Sequence, residues 1–68
     1  MGKTQSRKEL IKSEIESVQA RIWWLLTRQQ QLLGQDTAWA ERMFERNENE
    51  LARARRKLAH LLREYALA

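Results

Sequence analysis

The chain has no cysteine and a single histidine, so it forms no disulfide and cannot assemble a thiolate or zinc site by itself. It also has no proline and only two glycines, at positions 2 and 34. One strong helix breaker therefore divides the body of the chain into nearly equal halves. Long apolar runs are missing too. The longest, residues 22–26, lies between Arg21 and Arg28 and falls far short of the roughly 18 residues that a membrane span needs. Residues 1–7 lack the apolar stretch and small-residue cleavage site of a secretory signal, so the expected compartment is the cytoplasm, with no membrane partner.

Catalytic groupings are equally scarce. There is no Gly-rich phosphate loop, no Ser-His-Asp set and no thiol nucleophile, and His60 has only Glu64 as a helical neighbour. Glu41, Glu45 and Glu48 share one helical side, but the arginines between them point to ion pairs rather than a metal site, and no Glu-x-x-His pattern accompanies them. The sequence thus predicts a protein that is not an enzyme and needs no cofactor, metal or small-molecule substrate.

What is present is helical periodicity. In the first half, Ile11, Ile15, Val18, Ile22, Leu25, Gln29 and Leu32 follow alternating steps of four and three, the 3.5-residue seam of a coiled coil. Ala40, Phe44, Asn47, Leu51, Ala54, Leu58, Leu61, Tyr65 and Ala68 repeat the pattern in the second half. Ser6 followed by Glu9 makes a capping box, Gly34 suits a left-handed residue past a helix end, and Asp36 or Thr37 can cap the second helix. The predicted fold class is all-α. It is an antiparallel, coiled-coil-like two-helix hairpin over residues 6–68, with helices at about 7–33 and 37–65, a turn at 34–36, and a disordered basic arm at 1–5. A fold-back at that turn makes residues whose numbers sum to about 69 face each other, so Leu25 meets Phe44, Val18 meets Leu51 and Ile11 meets Leu58. Asn47, alone or with Gln29, is either a polar device that fixes register or a residue at the wet edge of the seam.

A chain of 68 residues buries only roughly 60% of its unfolded surface, which leaves the core marginal and makes self-association the simplest source of further burial. Opposite its seam, the first helix carries Ser6, Leu10, Ser13, Ser17, Ala20, Trp24, Thr27 and Gln31 without one charge, whereas a solvated face would carry charges. The expected occupant is a second copy, giving a homodimeric four-helix bundle with the two first helices at its centre. The residues assigned to self-association are Leu10, Ser13, Ser17, Ala20, Trp23, Trp24 and Thr27. Trp23 and Trp24 are adjacent, about 100° apart on the helix, and cannot share one seam. Trp39 is expected to close the turn end of the core.

Thirteen basic against nine acidic residues give a net charge of +4, which suits a polyanion. Arg42, Arg46, Arg53, Arg56, His60 and Arg63 line the outer face of the second helix, and folding back brings its arginine-rich half beside Lys3, Arg7, Lys8 and Lys12. Lys8, Lys12, Arg53, Arg55, Arg56 and Arg63 are therefore the candidate contacts to phosphates or another acidic partner. Two readings are in play: a self-associating interaction or assembly module, and a small dimeric RNA- or DNA-binding regulator that uses this basic open end. A third, a designed helical bundle, fits the regular seams and short turn. The glutamines at 29–31, the uneven charges and the Trp pair speak against it.

Overall fold

A computed structural model describes residues 6–68, and the arm expected at residues 1–5 lies outside them. Two α-helices, α1 (Arg7–Leu33) and α2 (Ala38–Leu67), pack against each other, and no strand occurs among the described residues. Helix α1 starts at the expected cap, with one half of the capping box: the Ser6 hydroxyl oxygen accepts the Glu9 backbone N–H at 3.2 Å. At α2 the cap is Thr37, not Asp36, and its hydroxyl oxygen accepts the Ala40 N–H at 3.0 Å. Thr37→Ala is expected to lower stability by about 1 kcal/mol in a thermal melt, the usual worth of such a cap. Helix α2 runs two residues beyond the expected Tyr65, because no glycine or proline stops it and the Ala68 N–H still reaches the Glu64 carbonyl at 2.9 Å.

The turn differs from expectation. Gly34 has φ −82° and ψ −2°, an ordinary right-handed conformation, and no described residue has a positive φ. Four connecting residues, 34–37, reverse the chain, with the Leu32 carbonyl accepting the Gln35 N–H at 3.1 Å. A Cβ at Gly34 would meet only the Gln31 carbonyl oxygen, at 3.8 Å. Gly34→Ala is therefore expected to raise stability by about 0.4–1 kcal/mol through the unfolded chain's lost freedom. Loss of stability on urea unfolding would contradict this geometry.

Both seams face inward. Ile11, Ile15, Val18, Leu25 and Leu32 of α1 are buried, as are Ala40, Asn47, Leu51 and Leu61 of α2. Their register, however, is not the one expected. Asn47 Nδ2 donates to the Leu25 carbonyl at 2.8 Å, Arg21 pairs with Glu50 at 2.9 Å, Arg7 pairs with Glu64 at 3.5 Å, and the Lys8 ammonium lies 4.8 Å from the centre of the Tyr65 ring. These partners' numbers sum to 71–73 rather than 69, so the helices are offset by half a heptad from the expected pairing. Leu61 in place of Leu58 joins Ile11, Ile15 and Val18 in the buried cluster, with Leu58, Ala54, Ile22 and Tyr65 packed around it. The connection is one residue longer than expected, which supplies one residue of the offset. Leu32 and Ala40 close the turn end of the core. Trp39, one residue out of the seam, is exposed and does not.

Candidate functional site

Among the described residues no three His, Cys, Asp or Glu side chains come together as a metal site, and no helix is long and apolar enough to cross a membrane. The hairpin presents two broad flanks and two outer rows. Ion pairs mark the first flank. Arg21 with Glu50 and Arg7 with Glu64 cross between the helices there, and His60 Nε2 lies 2.7 Å from Glu64 Oε1. All three pairs are largely solvated, so each contributes at most about 1 kcal/mol. Lys8 and Arg7 stand at the positive end of the α1 dipole, where cations are disfavoured. Tyr65 and Glu64 supply the partners that the sequence left unassigned.

The same flank carries two of the three tryptophans. Trp24 has the guanidinium groups of Arg21 and Arg28 over its ring, each 5.4 Å from the centroid. With Trp39, Thr27 and Gln31 it lines an open groove. Thr27 is half-buried, and its hydroxyl donates to the Trp23 carbonyl at 2.9 Å. Of the residues assigned to self-association, Leu10, Ser13, Ser17, Ala20 and Trp24 are exposed along the outer side of α1. Trp23 is the most open tryptophan, 69% exposed, and helical phase puts it on the second flank instead.

Apart from Trp23, the second flank lies outside the residues expected to self-associate. A cleft lined by Leu32, Leu33, Ala40, Glu41 and Phe44 opens on it near the turn. Leu26, Leu33 and Leu62 are exposed and share this side by helical phase, with Ala52 and Ala59 on α2. The signal is present at positions flanking the seam, where Leu26 and Leu33 stand beside Gln30 and Leu62 follows Arg55 in its row.

The structure does not gather the candidate phosphate contacts into one surface. Arg53 lines a groove with Arg21, Glu50 and Lys57 on the first flank. Arg56, whose Nε donates to the Ala52 carbonyl at 3.4 Å, and Arg63 belong to the outer row of α2, which is exposed throughout. Lys12 and Arg55 fall on the second flank by helical phase, and Lys8 sits over Tyr65. Nor do Glu41, Glu45 and Glu48 enter the ion pairs found among the described residues, which use Glu50 and Glu64. No family model matches the chain, and no curated protein or solved structure is significantly similar to it.

Proposed function

We propose that the protein is a non-enzymatic, self-associating helical module whose activity is association. The observation that carries this reading is the amount of large apolar side chain that a lone hairpin leaves in water. Leu10, Trp23, Trp24, Leu26, Leu33, Trp39, Leu62 and Leu67 are all exposed, against a core of eight buried apolar residues in one layer between two helices. Single exposed apolar residues are ordinary, but Trp23, Leu26, Leu33 and Leu62 share one flank by helical phase, and apolar side chains grouped in this way favour an interface. Association that completes the fold also couples to stability by mass action. The melting temperature is therefore expected to rise with protein concentration, read by far-UV circular dichroism over a hundredfold dilution series. A cooperative melt that does not move with concentration would contradict the reading.

A second reading, an RNA- or DNA-binding dimer, is favoured by the exposed outer row of α2 with Arg42, Arg56 and Arg63. Three or four phosphate contacts would give binding that weakens by at least tenfold between about 50 and 200 mM salt. Absence of any mobility shift with mixed RNA or DNA at low salt would end it.

A further inference from the structure

The flank opposite the ion pairs is complementary to itself. At the turn end it holds a cleft of about 370 Å³ lined by Leu32, Leu33, Ala40 and Phe44, with Glu41 beside them. Toward the open end stands Leu62, 49% exposed and three heptads beyond Glu41 on the same side of α2. Charge along that side changes sign: Glu41 and Glu48 occupy the turn half, and Arg55 the open half.

The geometry points to a second copy of this chain as the occupant, stacked antiparallel so that Leu62 of each enters the Leu33–Phe44 cleft of the other. This rests on the self-association reading and names its surface. A two-fold axis at the middle of the hairpin, near Ala52, overlaps the two chains along their full length. It sets Leu62 opposite the other copy's Glu41 and Phe44, and Arg55 opposite its Glu48. Ala52 and Ala59 allow the two α2 backbones to approach closely. On α1, Glu16 comes opposite Trp23, so no carboxylate on this face meets another. The molecule's broad face, 54 × 25 Å, accommodates the roughly 800 Å² that each partner contributes to a standard interface. An isologous contact of this kind closes at two chains.

The stripe on the outer side of α1 is the weaker candidate. Its one tryptophan already has two guanidinium groups on its ring, and the stripe itself carries no charge for a partner to match.

Sedimentation equilibrium of charge-reversed variants separates the two surfaces. Glu48→Arg and Arg55→Glu are each expected to weaken association about tenfold or more, and the double variant to recover most of that loss, because it restores each pair with the signs exchanged. Ala52→Cys, in a chain with no other cysteine, is expected to give a covalent dimer under mild oxidation, since the axis brings the two Cα atoms within the roughly 4.4–6.8 Å that a disulfide spans. A wild-type chain that is monomeric at every concentration would remove both this proposal and the reading beneath it. A wild-type dimer that Trp24→Asp dissociates while the charge reversals leave it intact would overturn the flank alone, and leave self-association standing. A chain that pairs only when nucleic acid is added would likewise overturn it, in favour of a polyanion.

Discussion

Leu25→Ala is expected to cost about 2–5 kcal/mol of folding stability, the largest effect of any single truncation in the hairpin. Leu25 is 1% exposed, the most completely buried large side chain among the described residues. It lies in the layer where Asn47 reaches across to its own backbone carbonyl. Truncation removes about three methylene-sized groups from packing contact between the two helices and leaves a cavity there. The penalty then falls toward the upper end of the range, comparable with the whole stability of a small domain. Urea unfolding followed by circular dichroism measures it, with Leu67→Ala as the control because Leu67 is 83% exposed. Equal midpoints for the two variants would mean that the α1–α2 seam is not the core.

Asn47→Leu is expected to change register rather than destroy the fold. Asn47 is 4% exposed, its amide donates to the Leu25 carbonyl at 2.8 Å, and no buried side-chain polar atom among the described residues lacks a partner. That bond exists in only one alignment of the helices. The apolar seams are less selective, because steps of four and three match again after half a heptad, and both alignments place apolar layers face to face. Leucine at position 47 thus removes the residue that distinguishes the two alignments and adds apolar burial. The expected outcome is a melting temperature equal to or above that of the native chain, with two populations of the hairpin. They would be offset by about 5 Å, the rise of three to four helical residues. Paired spin labels at Arg21 and Glu50, which touch in the native register, would report two distances in the variant and one in the native chain. A single unshifted distance with an unchanged melt would show that Asn47 does not set the register.

The contrast between those two positions shows what the sequence could and could not convey. Burial was readable in large part: Ile11, Ile15, Val18, Leu25 and Leu32 stand at coiled-coil spacing and are buried, whereas Ile22, Gln29, Phe44, Ala54, Leu58 and Tyr65 of the same seams are half-buried and Ala68 is exposed. Ser6 was readable as a cap because its hydroxyl sits three residues ahead of an unsatisfied backbone N–H, whereas Thr37 and Asp36 were equally eligible at α2 and the structure uses Thr37. Register was not readable, since periodicity repeats and carries no absolute origin. The origin is marked by particular contacts, the Asn47 amide on the Leu25 carbonyl and Arg21 on Glu50, together with a connection of four residues. Trp39 departs from expectation for a related reason. Proximity to the turn suggested a plug, but adjacency to the seam residue Ala40 rotates its side chain about 100° away from the core.

The surfaces were harder still. A search for an uncharged stripe finds the outer side of α1, where Leu10 and Trp24 are exposed with serines between them. It passes over Leu26, Leu33 and Leu62, because each alternates with a charged or polar neighbour along the helix. Only the folded hairpin brings Leu33 together with Glu41 and Phe44 around one cleft. Likewise, the basic residues of the open end are close in height but distributed around the circumference, which a one-dimensional count of charge does not convey.

Sedimentation equilibrium of the unmodified chain, at several concentrations and at physiological salt, tests the central claim most directly. A mass of about 16 kDa, twice that of the 8.2 kDa chain, falling toward the single-chain value on dilution, is the expected result. A well-folded species that stays at 8.2 kDa from the lowest to the highest concentration would contradict it.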